Sequence, residues 1–244
     1  MSALALRIIA SVSMLLDHIG FCLDITPLRW IGRLAFPLYV FLLVNGFRHT
    51  KSPLRYALRL ALFAVLSQIP FSLMCFDKLL HPKLNVMVTL LLALLCIWSG
   101  ELLRKNKRTR WFCLAPALLM FCVYYFGYIS SDYGAKGILL ATVFWLFDGK
   151  EIWKKLCVSI GAFFALFYDL VLQYAYRIIK GILPLSLPSK WQQVQLFALL
   201  ALPLILLYNN KPGKLPQNPL ARKSIQIGFY AFYPVHMLLL WALL

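Results

Sequence analysis

The chain has 244 residues, 62% of them hydrophobic and only 14% charged, and its 25 Lys and Arg against 8 Asp and Glu give a formal net charge of +17. A water-soluble globule of this length displays far more charge, so composition excludes one and places the chain in a bilayer. The basic excess does not argue for a nucleic-acid binder, because the cations lie in short clusters between apolar runs and no hydrophilic face is available to display them.

A helix needs roughly 20 apolar residues to cross the hydrocarbon. Cutting the chain at its polar clusters predicts spans at 5–24, 30–47, 57–76, 84–103, 111–129, 134–148, 156–175, 192–208 and 225–244. The expected fold is an all-α polytopic transmembrane bundle of about nine spans, a single integral-membrane domain over 1–244. The first span reads as a retained helix, since Asp17 and His18 interrupt its apolar run and no small-residue cleavage site follows. The sixth is short enough to be re-entrant, which would leave eight crossings. Alternate loops nevertheless collect 16 of the 25 cations, among them Arg48, Lys51, Arg55 and Arg59, then Arg104 to Arg110, then Lys150, Lys154 and Lys155, then Lys211 to Lys223. They share one side only if the sixth span crosses, and cations stay cytoplasmic. That predicts the N-terminus inside and the C-terminus outside. The stretch Asn209 to Pro219 is an inner loop, and the six cysteines, all in or beside apolar runs without CxxC spacing, read as small core hydrophobes.

Ionisable groups at membrane depth cost several kcal/mol unless paired or hydrated, which makes each a functional candidate. Counting about 1.5 Å per residue puts Asp17 and His18 about 20 Å along span one and His236 about 17 Å along span nine, which runs the same way. Arg33 lies near the outer end of span two, and Pro37 is expected to kink that helix and free the carbonyl of Arg33. Asp132, Tyr133 and Lys136 lead into span six on the same side, where Gly134 and Gly137 permit close backbone approach, and Asp169 lies within span seven. Adjacent helical residues point about 100° apart, so Asp17 does not orient His18 directly. Asp17 is expected to pair with Arg33 first and Lys136 second, leaving His18 to face a cavity. On the inner side Arg48, Lys51, Arg55 and Arg59 form a cluster able to grip phosphates through guanidinium forks, or simply to anchor the chain. No HExxH, P-loop, GxGxxG or GxSxG occurs, and the four histidines are too dispersed for a metal site.

The strings Leu16-Asp17-His18-Ile19-Gly20, Gly32 to Tyr39, Gly46-Phe47-Arg48-His49-Thr50, Asp132 to Gly137 and Tyr233-Pro234-Val235-His236 together resemble the TraX family of bacterial membrane proteins, whose namesake acetylates the N-terminus of conjugative pilin. That family is similar in plan to transmembrane acyltransferases, which take acyl-CoA from the cytoplasm and serve an acceptor from the far side. The resemblance implies an acetyl-CoA-dependent acetyltransferase with His18 as the catalytic residue and Asp17 and Arg33 as supports. It further implies Arg48, Lys51, Arg55 and Arg59 toward the CoA phosphates, while Asp132, Tyr133, Lys136 and His236, in the outer half by their place in the chain, are expected to bind the substrate. The acceptor itself, a peptide N-terminus, sugar or other amine or hydroxyl, is left open. A transporter or flippase using the same buried groups as a translocation path is the rival reading.

Overall fold

The computed structural model describes residues 1–147, 149, 151–182, 189–214 and 216–243, without the side chains of Trp191 and Pro219. Lys150, counted above among the inner cations, and positions 148 and 244, which end two of the expected spans, lie outside the described residues. In chain order the helices are α1 (Ala3–Cys22), α2 (Thr26–Gly32), α3 (Ala35–His49), α4 (Pro53–Phe76), α5 (Val86–Lys105), α6 (Ala115–Tyr125), α7 (Gly134–Leu146), α8 (Ile152–Ile179), α9 (Lys190–Leu196), α10 (Ala201–Leu206) and α11 (Pro219–Leu243). Short 3₁₀ turns at Arg110–Phe112 and Phe197–Leu200 lead into α6 and α10.

Helix starts follow side chains that satisfy orphan N–H groups. Ser2, Ser52 and Asn85 accept from Ala5, Arg55 and Met87 at the heads of α1, α4 and α5. Among the described residues six helical stretches are long and apolar enough to cross a membrane: Ala3–Cys22, Thr26–His49, Pro53–Phe76, Val86–Lys105, Ile152–Ile179 and Leu220–Leu243. Three more, Arg110–Tyr125, Gly134–Leu146 and Gln192–Leu206, are apolar but shorter. Every segment expected to be a span is therefore helical, but not every one has full length.

Span two departs from expectation in an informative way. It breaks at Arg33 and Leu34 into α2 and α3, so Pro37 occupies the first turn of α3, where its missing N–H would have had no helical partner in any case. Arg33 thus sits at a break between two helices and not at a proline kink in a continuous one.

Helices α1, α2, α3 and α11 pack as one group, and α4 joins α11 to α5, which in turn touches α6 and α7; α7 bridges α3 and α8. One end of the bundle gathers Arg48, which donates to the carbonyls of Phe144 and Trp145 at 2.8 and 2.9 Å, together with Tyr208, bonded by Asn45 at 3.0 Å. The chain start is clasped nearby, with Ala3 N–H on the carbonyl of Lys211 and Asn209 N–H on that of Met1, each at 2.9 Å. The opposite end holds Arg33, Tyr133 and Asp132. Helix α7 runs from Tyr133 at that end to the Arg48 contact at the other, so its 13 residues, about 20 Å of helix, link the two.

Close approach at the site end depends on two glycines. A Cβ on Gly32 would lie 2.2 Å from that of Asp17, so only glycine lets α2 press against α1 at this level. A Cβ on Gly137 would lie 2.5 Å from the Thr89 methyl. Of the cysteines, all free, only Cys96 is buried and Cys122 is exposed, so the reading of all six as core residues does not hold.

Candidate functional site

The Asp17 carboxylate, on α1, is held by Arg33 through the Nη2 group, with Arg29 Nε a further 3.7 Å from Oδ1. Arg33 is 4% exposed, and a guanidinium this deep needs a carboxylate partner to offset its lost hydration. The fork also reaches Tyr133, whose phenol oxygen accepts from Arg33 Nη1 at 3.1 Å. Tyr133 is fixed by its backbone, at φ +61° immediately before α7, and by stacking on Phe36 with centroids 3.7 Å apart. Three distant parts of the sequence thus converge on one guanidinium.

His18, one residue along α1, turns to α11. Its Nδ1 lies 2.6 Å from Nε2 of His236, and His236 Nδ1 lies 2.6 Å from the carbonyl oxygen of Phe232. The two imidazoles are nearly coplanar, at 8°, with centroids 4.9 Å apart, so the nitrogen contact runs edge to edge in the ring planes. His236 is 4% exposed and both of its ring nitrogens are occupied. It therefore has no ring nitrogen left for the acceptor contact expected of it. The similar depth of the two histidines was legible in the sequence; their contact was not, because depth does not say that the first and last helices are neighbours.

The loop before α7 is pinned by an isolated parallel bridge, in which Leu84 N–H donates to Ser130 and Asp132 N–H to Leu84, both at 2.9 Å. A hydroxyl relay of Tyr124, Ser131 and Thr89 ends on the Asp132 carbonyl, with links of 2.7, 2.7 and 2.5 Å. The Asp132 side chain pairs with Lys83 at 3.3 Å, and Lys136 pairs with Asp169 at 3.1 Å. Lys136 is thereby not a partner of Asp17, and Asp169, within the seventh expected span, holds it in place.

Two hollows meet at His18. The larger, about 530 Å³, opens at the Arg33 end and is bordered by Arg29, Arg33, Lys83, Lys136, Tyr168 and Gln195. The smaller, about 60 Å³, lies among Met14, Ala35, Phe36, Tyr39, Met87 and Leu90. Asp17, His18, Asp132 and Tyr133 border both. A third hollow of about 90 Å³ continues the small one past Tyr39, Met87, Leu90 and Phe229 to Arg7, Tyr56, Gln226 and Tyr230. The string of spaces runs from the open chamber, past the imidazole, toward the Arg48 end of the bundle.

The inner basic cluster does not assemble as one site. Arg48 caps the C-terminal carbonyls of α7, Lys51 is exposed in the turn between α3 and α4, and Arg55 is exposed on α4. Arg59 lies over the Tyr56 ring at 5.7 Å, beside the inner hollow. Arg7, which sequence reasoning passed over, lines that hollow and stands 5.4 Å from the Phe229 ring centre. Arg29 was also missed, although its spacing of four residues from Arg33 puts both on one helical face. Gln195 carries no sequence signal; it is 5% exposed and its side-chain nitrogen has no hydrogen-bond partner among the described residues.

A helical membrane protein with a polar chamber sunk between its helices, lined by a histidine pair and a buried ion pair, is the class that this arrangement defines. Within that class the chain belongs to the TraX protein family, whose match covers residues 2–244. It is 32% identical to the probable fimbrial assembly protein FimC, serogroup H1, of Dichelobacter nodosus, over 98% of this chain and 94% of that protein. No solved structure matches.

Proposed function

We propose that this protein is an integral-membrane acyltransferase of the bacterial cytoplasmic membrane, crossing nine times with its N-terminus inside and its C-terminus outside. It moves an acetyl group from cytoplasmic acetyl-CoA to an amine or hydroxyl presented from the outer side. The observation that carries this reading is the position of His18 on the border of two hollows, one wide and polar, the other narrow and leading toward the basic end.

The acceptor enters the wide chamber and its nitrogen or oxygen attacks the thioester carbonyl carbon. His18 removes the proton as that bond forms, through the lone pair of its neutral imidazole. Negative charge gathers on the carbonyl oxygen. Tyr133 is placed to donate to it, because its oxygen already accepts from Arg33 and its own hydrogen remains available. Collapse breaks the carbon–sulfur bond, and the CoA thiolate takes the proton back from His18. Arg7 borders the inner mouth and suits the donor's phosphates better than Arg48, which is engaged with α7. The relative's name as a probable fimbrial assembly protein makes a peptide N-terminus the first acceptor to try.

Purified protein given labelled acetyl-CoA and such a peptide is expected to pass label to the amine with release of free thiol. His18→Ala is expected to lower turnover by about 1,000-fold. Undiminished turnover in that variant removes His18 from the chemistry. Reconstituted vesicles that carry solute across without any acyl transfer would establish the transport reading instead.

A further inference from the structure

The histidine pair carries information beyond the contact itself, because its hydrogen bonds have a direction. The Phe232 carbonyl, 2.6 Å from His236 Nδ1, can only accept, so the hydrogen sits on that nitrogen. A neutral His236 then has a bare Nε2. That atom lies 2.6 Å from His18 Nδ1, which must donate to it. Neutral His18 therefore holds its hydrogen on Nδ1 and keeps a lone pair on Nε2.

We propose that His236 is a positioning residue that fixes the tautomer of His18, so that Nε2 is the atom that takes the proton from the acceptor. This deepens the acyltransferase reading and rests on it. The design separates two duties that one residue often shares. Asp17, the acidic neighbour in sequence, is committed to Arg33 and Arg29 and leaves the imidazole to a neutral partner on another helix. A neutral partner sets the tautomer without holding a second negative charge in the bilayer, where a carboxylate lacking its own cation is costly. The near-coplanarity of the rings, 8°, fixes ring rotation as well as protonation, since an in-plane bond is lost when either ring turns. The carbonyl that begins the relay belongs to the same helix as His236, four residues earlier, so the direction is built into α11.

The test compares His236→Phe, which keeps a ring but has no acceptor, with His236→Gln, whose side-chain oxygen can replace the Nε2 lone pair. In the ¹⁵N spectrum of histidine-labelled protein at neutral pH, the signals lost in His18→Ala identify His18. Wild type and His236→Gln are expected to show the hydrogen on Nδ1 and a bare Nε2, and His236→Phe a mixture of tautomers. Turnover of labelled acetyl-CoA is expected to fall about 100-fold in His236→Phe with KM for acetyl-CoA unchanged, and to recover to within about tenfold of wild type in His236→Gln. A wild-type spectrum with the hydrogen on Nε2 overturns the proposal. So does His236→Phe with wild-type kcat. Should both variants prove unfolded by their melting curves, the wild-type spectrum alone decides. If His18→Ala keeps full turnover while the spectrum shows the expected tautomer, it is the general-base reading that fails and not the relay.

Discussion

The wide chamber and the narrow passage that meet at His18 are built on opposite principles. Around the chamber, charge is abundant and nearly all of it is matched: Arg33 and Arg29 with Asp17, Lys83 with Asp132, Lys136 with Asp169. Around the passage the walls are Met, Leu, Phe and Tyr, and the nearest cations, Arg7 and Arg59, lie over aromatic rings. Matched ion pairs can border water because each partner offsets the other's desolvation, whereas an apolar passage excludes water and strengthens whatever electrostatic contact is made at its end. Under the proposed function, this difference assigns polar recognition to one side of the imidazole and size selection to the other.

The largest effect is expected where the chamber's pairing is broken. Arg33→Leu leaves the Asp17 carboxylate with only Arg29, 3.7 Å away, and removes the donor that holds Tyr133. A loss of about 3 kcal/mol in stability is expected, measured by unfolding in mixed detergent, because an abandoned buried charge costs more than the pair contributes. A wild-type unfolding curve would mean that Asp17 is hydrated and that the chamber is not organised by pairing. Tyr133→Phe is milder for the fold, since the ring still stacks on Phe36. It removes the hydrogen that the proposed mechanism directs at the oxyanion, and kcat is expected to fall about 100-fold with little change in KM. An equal rise in KM would instead assign the hydroxyl to ground-state binding of the acceptor.

Sequence patterns revealed these two regions unequally, for a physical reason. Composition and spacing located every apolar segment as helix, and the cost of an unpaired charge at depth selected Arg33 as the partner of Asp17, which the structure contains. Depth counting also brought His18 and His236 level. Lateral neighbours were not legible, because many arrangements of apolar helices satisfy the same hydropathy, and adjacency is decided by small residues and packing. Hence the α1–α11 contact that joins the histidines, and the capping role of Arg48 at the end of α7, emerged only from the fold. The break at Arg33 and Leu34 carried only an indirect mark, Pro37, whose effect on an intact helix and at a helix start cannot be told apart from one sequence.

Smaller effects are expected on the passage side. Met87 borders both the small hollow and its inner continuation, so Met87→Ala enlarges the space in which the proposed reaction puts the thioester carbonyl. Propionyl-CoA is expected to gain about fourfold relative to acetyl-CoA in kcat/KM, the worth of one newly accommodated methylene. An unchanged ratio would show that the acyl group does not occupy this space.

The smallest difference distinguishes two inner arginines that a charge count treats alike. Arg7 lines the passage mouth, while Arg55 is exposed on α4 beside the outward-facing Leu54 and Leu58. A guanidinium fixed at a mouth can bind a phosphate repeatedly in one geometry; one in open solvent is screened and must first lose its own freedom. Arg7→Gln is therefore expected to raise KM for acetyl-CoA about fivefold at unchanged kcat, and Arg55→Gln to leave both constants as they are. The reverse pattern would move the donor's entry from between α1 and α11 to the outer face of α4, and the narrow passage would lose its claim to carry the thioester.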